Sequence, residues 1–252
     1  MIQLKSAREI DIMARGGQVL AGAVQLAERE VRAGMTTLDV DRMVEEFIRS
    51  HTGAKPSFKG LYGFPASVCA SINDEIVHGI PSAKRTIRDG DIVSIDVGVL
   101  LDGYHTDSAT TIPVGDVGAE SLRLLAVTRA ALEAGIAAAR PDNHIGDIGA
   151  AVQGVVERAG FNVTRDLVGH GIGTTFHEDP QVPNYGKPSR GIKLVAGLTI
   201  AIEPMVMIGS HKTRQLSDQW TVVTADKSRA AHFEHTVAVT ADGPRVLTRL
   251  AA

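Results

Sequence analysis

The sequence has a single cysteine, no excess of positive charge and no long apolar run, and each absence excludes a class of protein. The one cysteine, Cys69, cannot form an intrachain disulfide, so we expect a reducing, cytoplasmic location. The formal net charge of -3 gives no electrostatic basis for binding nucleic acid or an anionic membrane. No apolar run reaches the roughly 18 residues of a membrane span. The charged start of the chain lacks the apolar core of a signal peptide, so we expect neither export nor membrane contact.

The 252 residues, 44% of them hydrophobic, are enough for one sizeable core or two fused half-cores. A capping box at Ser6 opens a helical apolar pattern that is predicted to end at Gly34. Thr37 is predicted to be the N-cap of a second helix. Two more helices are predicted over about 120–139 and 145–159, followed by a glycine-rich loop and then strands.

The order of these elements indicates an internal duplication. A glycine precedes Asp96 by six residues in GDIVSIDVG, and another precedes Glu203 by six residues in GLTIAIEPM. Each segment alternates like a strand, follows two helices and precedes a second acid in a predicted strand. That second acid is Asp107 in the first half and Glu234 in the second. Two unrelated amphipathic hairpins are the alternative interpretation.

The Asp-Gly dipeptide at 102–103 predicts the turn of the first hairpin. If it forms a two-residue type I′ turn, Asp107 faces Gly98, and Asp96 lies on the same face of the hairpin. The two carboxylates are then diagonal neighbours, roughly 7–8 Å apart. A three-residue loop would instead place them on opposite faces, so the interpretation depends on the turn.

Two carboxylates on one small-residue face repel each other, and burial raises the pKa of at least one unless a cation lies between them. If the two halves pack as a pseudo-dimer, Glu203 and Glu234 join Asp96 and Asp107. Four such carboxylates balance the charge of two divalent cations. A site rich in oxygen ligands favours Mn, Fe(II) or Co over a metal that prefers thiolates. The alternative is a polar face that is merely solvated.

Two histidines, His170 and His177, lie in the glycine-rich stretch GHGIGTTFHEDP before the second acidic hairpin. Gln181 stands where an H-E-x-x-H zinc helix would need its second histidine, so that motif is excluded. Their position in front of a carboxylate cluster indicates a metal-binding or catalytic role. An ordinary polar role in the loop is the alternative.

Six segments together resemble methionine aminopeptidase of type I, in its bacterial-like form without an N-terminal extension. They are ASINDEIVHGIP, SIDVGVLLDGYHTDSA, GHGIG, FHEDPQVPNYG, AIEPM and FEHTVAV, and their order and spacing follow that family along nearly the whole chain. The resemblance implies an α/β pita-bread fold, in which two pseudo-symmetric helix-helix-hairpin halves form one curved antiparallel sheet covered by helices. It implies one catalytic domain over 1–252, with pseudo-repeats of about 1–118 and 119–252.

The resemblance also assigns roles to individual residues. It implies two divalent metal ions, Fe(II), Mn or Co, held by five ligands: Asp96, Asp107, His170, Glu203 and Glu234. Glu203 resembles the general base toward the attacking water. His177 resembles the residue that stabilises the oxyanion, and His78 resembles the one that contacts the substrate near its amine or scissile amide. For both histidines, a packing role that supports the ligands is the alternative.

The family's methionine pocket falls on apolar and soft side chains. The matching positions are Phe64, Cys69, Phe176 and Trp220, with His78 beside them. Sulfur–aromatic contacts of roughly 0.3–1.5 kcal/mol each would favour methionine in such a pocket. Plain core packing is the alternative for each residue. Leu61 departs from the family, which often has an aromatic residue there, and Cys69 has no base beside it that would activate a nucleophile.

The function implied by the resemblance is removal of the N-terminal methionine from nascent proteins and peptides when the second residue is small. We expect nascent chains as substrates, a transient association with the ribosome and a monomer. One alternative is an X-Pro aminopeptidase-like peptidase, which usually carries a large N-terminal domain. A non-enzymatic pita-bread binding protein is the other, and such proteins have typically lost metal ligands.

Overall fold

The structure is a computed structural model that describes residues 2–250. Within that range the chain follows the same order twice: a pair of α-helices and then a run of strands. The four helices are α1 (Ala7–Glu30), α2 (Thr37–Arg49), α3 (Ala119–Ala138) and α4 (Ile145–Arg158). The strands of the first half (residues 2–118) are β1 (Lys55–Pro56), β2 (Val68–Ile72), β3 (Glu75–Val77), β4 (Ile92–Leu101) and β5 (Tyr104–Pro113).

The second half (residues 119–250) contains more, and mostly shorter, strands. They are β6 (Asn162–Val163), β7 (Gly169–Gly171), β8 (Glu178–Val182), β9 (Thr199–Ile202), β10 (Met205–Met207), β11 (Thr213–Gln215), β12 (Val222–Thr224), β13 (Ala230–His232), β14 (His235–Thr240) and β15 (Gly243–Val246). No helix in the described part of the chain is long and apolar enough to cross a membrane.

The predicted capping box of α1 is confirmed. The Ser6 hydroxyl accepts a hydrogen bond from the backbone N–H of Glu9, and the Glu9 carboxylate accepts one from the Ser6 N–H. The predicted end of this helix at Gly34 is wrong, because the chain is already extended at Val31, with φ -66° and ψ 123°. Gly34 has φ 93° and lies in the turn that follows, where a left-handed conformation favours glycine.

The other predicted helices lie close to those observed. Thr36, not Thr37, caps α2, because its side chain accepts the N–H of Asp39 and the Asp39 carboxylate closes a second capping box. The predicted spans 120–139 and 145–159 each differ from α3 and α4 by at most one residue at either end.

The β4–β5 hairpin has the register that its turn predicted. Asp102 and Gly103 have φ of 48° and 85°, as a type I′ turn requires, and Asp107 faces Gly98. Asp96 therefore lies on the same face as Asp107. The alternating residues of β4 from Val93 to Val99 face the opposite way and are fully buried in a core shared with α1 and α2.

Each half has its own apolar core. The core of the first half packs α1 and α2 on β2, β4 and β5. That of the second packs α3 and α4 on strands that include β6, β9 and β14. The predicted repeats 1–118 and 119–252, and their common origin, stay predictions.

The halves meet along β5 through hydroxyl side chains. Thr111 Oγ1 accepts the His232 N–H at 2.9 Å and donates to the His232 carbonyl at 2.8 Å. Thr236 Oγ1 in the same way accepts the Asp107 N–H and donates to the Asp107 carbonyl, both at 2.8 Å. Backbone ladders group the antiparallel strands into four sheets, one of which pairs β3 of the first half with β12 of the second, and hydroxyl bridges link β5 to the second half. The bridges tie the acidic segments of the two halves together.

Candidate active site

A cleft of about 660 Å³, open to solvent, is lined by residues of both halves. All eleven residues predicted for the site line this cleft: Phe64, Cys69, His78, Asp96, Asp107, His170, Phe176, His177, Glu203, Trp220 and Glu234. Phe58, Leu61 and Tyr62 line it as well. No role was predicted for Phe58 and Tyr62, and only their closeness along the chain to Phe64 could have indicated them.

The four carboxylates reach the cleft in two different ways. Asp96 and Asp107 project from the inside of the β4–β5 ladder. Glu203 directly follows β9, and Glu234 lies in the break between β13 and β14, so the predicted position of Glu234 within a strand is wrong. The last ladder pair of β9 and β14 is Ile202 with His235. Both glutamates thus extend from the end of one ladder.

His170 lies in strand β7, which corrects the prediction of a loop there. The flanking glycines allow close backbone approach: a Cβ on Gly169 would lie 2.3 Å from the carbonyl oxygen of Ala201, and one on Gly171 would lie 2.2 Å from that of Asp179. These glycines therefore serve strand packing and not loop flexibility.

A hydrogen bond at Nδ1 fixes the orientation of the His170 ring. Nδ1 lies 2.8 Å from the carbonyl oxygen of Gly171, to which it donates, so the lone pair is on Nε2. Nε2 lies 3.8 Å from Asp107 Oδ2 and 3.7 Å from Glu203 Oε1. Burial lowers the pKa of His170 to about 3, which keeps the ring neutral and its lone pair available to a metal.

The four carboxyl groups cannot all be ionised at neutral pH without a cation. Burial raises the pKa of Asp96 to about 7. Burial, and then repulsion from the neighbouring acids, raises the pKa of Asp107, Glu203 and Glu234 well above the usual range. Charge balance therefore requires either bound protons or bound metal.

The donor atoms fit a divalent metal ion. Ligand atoms of Asp107, His170 and Glu234 lie within 4.8 Å of one another. One oxygen each of Asp96, Asp107 and Glu234 is buried and has no hydrogen-bond partner within residues 2–250. A buried acceptor without a partner is costly, and a metal ion would satisfy these oxygens. Carboxylate oxygens with one imidazole suit Mn, Fe(II) or Co.

Two more histidines stand at the cleft beside this cluster. The ring of His177 packs against His170 at a centroid distance of 4.4 Å and stacks on Tyr62 at 5.6 Å and 17°. The Tyr62 hydroxyl lies 3.3 Å from His177 Nδ1. His78 stands beside Trp220 with their ring centroids 6.5 Å apart. Burial lowers the pKa of His177, and lowers that of His78 to about 4, so both rings are neutral near pH 7.

The apolar part of the cleft is a set of rings in edge-to-face contact. Phe64 packs on Trp220 with centroids 5.1 Å apart, and Phe58 packs on Phe176 at 5.3 Å. Burial raises the pKa of the Cys69 thiol well above its usual range, the opposite of what a nucleophile needs. These side chains form an apolar pocket beside the carboxylates, with no group activated for covalent catalysis among them.

His232 belongs to the site but was missed by the sequence analysis. Its Nε2 lies 3.7 Å from Glu203 Oε2 and 3.8 Å from Glu234 Oε2. The signal available in the sequence was its place two residues before Glu234, since alternate residues of an extended chain share a face.

Comparisons with known proteins agree with this arrangement. Residues 11–241 match metallopeptidase family M24. A methionine aminopeptidase of Clostridium perfringens is 51% identical over 248 residues, which cover 98% of this chain and 99% of the relative. The crystal structure of methionine aminopeptidase from Thermotoga maritima has a TM-score of 0.96 at 42% identity, covering 99% of this chain and 100% of that one. The prolidase of Pyrococcus furiosus, with a TM-score of 0.79 at 24% identity, covers 99% and 66% respectively and shares the fold.

Proposed function

The chain belongs to metallopeptidase family M24, and from its full-length similarity to methionine aminopeptidases we infer that it hydrolyses the peptide bond after an N-terminal methionine. It is a metal-dependent aminopeptidase with the pita-bread fold. The observation that carries this function is the convergence, in one cleft, of buried unpaired carboxylate oxygens, a neutral histidine and an apolar aromatic pocket.

We propose two divalent ions at this centre, with Fe(II), Mn or Co as the metals that suit its donors. The residues that would hold them are Asp96, Asp107, His170, Glu203 and Glu234. Four carboxylates match the charge of two such ions, and the lone pair of His170 already faces Asp107 and Glu203. When bound, a pair of metal ions lowers the pKa of a shared water and polarises the scissile carbonyl.

The residues around the metal ligands supply the remaining chemistry. Glu203 would take a proton from the attacking water, and its place in the lining of the cleft beside the other acids supports this role. His177 is neutral and would donate Nε2–H to the oxyanion while the Tyr62 hydroxyl donates to Nδ1. His78, beside Trp220, would hold the amine or the scissile amide of the substrate.

The pocket supports methionine as the first residue of the substrate. Phe64, Phe176 and Trp220 offer ring edges and faces to a thioether, each contact contributing roughly 0.3–1.5 kcal/mol. Nascent polypeptides with a small second residue are the proposed natural substrates. In that setting the enzyme would act as a cytoplasmic monomer in transient contact with the ribosome.

The two alternatives from the sequence are not favoured. The likeness to prolidase is that of a shared fold, whereas methionine aminopeptidases match this chain over nearly their whole length. A non-enzymatic binding protein has no need of five convergent metal-binding side chains.

The peptides Met-Ala-Ser, Met-Lys-Ser and Leu-Ala-Ser test the proposed function in metal-loaded protein. We expect methionine to be released from Met-Ala-Ser alone, because the aromatic rings of the pocket favour a thioether side chain and the proposed function requires a small second residue. Release can be followed by chromatography of the free amino acid. Comparable rates on Leu-Ala-Ser, or a preference for any peptide with proline second, would favour the X-Pro class instead.

A further inference from the structure

His232 is a buried polar side chain that has no role in the proposed reaction described above. It is 1% exposed, and neither of its ring nitrogens has a hydrogen-bond partner within the part of the chain that the structure describes. The backbone of His232 is held by Thr111, so the residue cannot move away from the cluster easily. A buried imidazole without hydrogen-bond partners lowers the stability of the fold, so its presence here calls for an explanation.

The Nε2 atom of His232 faces the carboxylates as closely as that of His170 does. The His232 distances to Glu203 and Glu234 are 3.7 and 3.8 Å, and the His170 distances to Glu203 and Asp107 are 3.7 and 3.8 Å. Glu203 thus has one histidine near each oxygen: His170 near Oε1 and His232 near Oε2.

The surroundings of Nδ1 distinguish the roles of the His170 and His232 rings. Nδ1 of His170 donates to a carbonyl, which leaves the Nε2 lone pair for a metal. Nδ1 of His232 has no such acceptor among residues 2–250, so nothing forces the proton away from Nε2. A lone pair on Nε2 would be repelled by the two carboxylate oxygens in front of it, whereas an N–H there is attracted to both.

We propose that His232 is a positioning residue, and that its Nε2–H donates to Glu203 and Glu234 and orients both carboxylates for metal binding and for proton transfer at Glu203. This inference rests on the proposed function of the site. The gaps exceed a normal hydrogen bond by about half an ångström. Rotation about the last torsion of a glutamate side chain, which is soft, closes a gap of that size. His232 would thereby hold Oε2 of Glu203 and leave Oε1 on the side of His170.

Three variants of the full chain test the proposal: His232→Ala, His232→Gln and, for comparison with a proposed metal ligand, His170→Ala. The glutamine amide keeps an N–H donor but is a poor metal ligand. We expect His232→Ala to weaken Co(II) binding, or to lower kcat, by about 10- to 100-fold, with KM changed little. His232→Gln should recover most of that loss. His235→Gln is the matched control, because the His235 ring contacts Thr248 instead, and it should bind Co(II) like the wild type.

Co(II) absorption and binding, measured anaerobically by titration, decide between the outcomes. If His232→Gln is as weak as His232→Ala and its absorption changes as in His170→Ala, His232 is a metal ligand and the positioning role is overturned. If His232→Ala matches the wild type in affinity and kcat, His232 has no role in the site. A wild-type chain that binds no Co(II) at all would instead refute the proposed function.

A measurement on the unsubstituted protein covers the case in which the variants fold poorly. The ¹⁵N shifts of the histidine rings report which nitrogen carries the proton, in the chain with and without diamagnetic zinc. We expect Nε2–H for His232 and Nδ1–H for His170. An Nδ1–H tautomer at His232 would overturn the proposal, whether or not metal is bound.

Discussion

The two hairpins that supply the acids of this site are built differently, although both end at the same cluster. In the first, Asp96 and Asp107 lie inside a ten-residue ladder closed by a two-residue turn. In the second, Glu203 and Glu234 lie just beyond the end of the β9–β14 ladder. The connection between β9 and β14 runs from residue 203 to 234 and carries four strands of its own.

The difference shows that a short turn and a long connection place carboxylates in the same cluster in different ways. The turn of the first hairpin fixes which face its acids occupy, since a one-residue slip would move them to the other face. The long connection of the second hairpin brings further chemistry to the cleft, namely Trp220 for the pocket and His232 beside the glutamates. The first hairpin therefore fixes the positions of Asp96 and Asp107 relative to each other, and the second adds Glu203, Glu234 and Trp220 to the cleft.

The largest expected effect comes from removing one charge from either hairpin. Asp107→Asn and Glu234→Gln keep the side-chain volume but remove a ligand from the group that lies within 4.8 Å. If both hairpins serve one shared centre, each variant should lose metal binding and hydrolysis of Met-Ala-Ser to the same extent. Metal content after dialysis and the peptide assay measure both effects. A variant that keeps full metal content would show that its hairpin does not contribute to the centre.

A smaller effect is expected at His170 and His177. His170→Ala removes the nitrogen donor nearest Asp107 and should lower metal affinity together with activity. His177→Ala should keep the metal and lose about 10²–10³-fold in kcat, the range for one oxyanion donor, with KM little changed. Metal stoichiometry and kcat are compared side by side. Equal metal loss in the two variants, or an unchanged kcat in His177→Ala, would contradict the role given to His177.

The smallest effect concerns the pH dependence of stability in the metal-free protein. Burial raises the pKa of Asp96 to about 7, and raises that of the other three acids well above their usual range, so the folded chain holds protons that the unfolded chain has released. Stability then falls as pH rises. Buried histidines with lowered pKa values, such as His170, oppose this trend only below about pH 6.5, where the unfolded chain takes up protons.

The window that isolates the carboxyl groups therefore lies above about pH 6.5, and Tm should fall as pH rises through it. Calorimetry with and without metal measures the effect. Saturating metal should remove it, because a bound cation replaces the protons. Asp96→Asn should reduce the slope in the metal-free protein. A Tm that rises with pH over this window would mean that the carboxyl groups are already ionised in the folded state.

The first hairpin was predictable from sequence because its register is a local property. The Asp-Gly pair at 102–103 prefers positive φ at both positions, and the pairing follows from that turn alone. The same local reasoning predicted the capping box at Ser6. It failed at the end of α1, where the chain leaves the helix at Val31, before the glycine that was expected to end it.

The second hairpin was less predictable because its geometry depends on distant contacts. The glycines around His170 indicated a loop, whereas they permit close packing against the carbonyls of Ala201 and Asp179. Glu234 lies in a break between strands that the backbone of Ala109 helps to hold through a hydrogen bond of 3.0 Å. The place of His232 two residues before Glu234 did not by itself assign it a role, since its other partner, Glu203, lies on a separate segment.

The metal content of protein purified without oxygen tests the central claim most directly, namely that both hairpins build one dinuclear centre that is needed for catalysis. Metal should be removed with a chelator, and Mn, Fe(II) or Co titrated back while release of methionine from Met-Ala-Ser is followed. The account predicts no hydrolysis in the demetallated protein, and activity that returns as metal binds, up to two ions per chain. Full activity in thoroughly demetallated protein would contradict it.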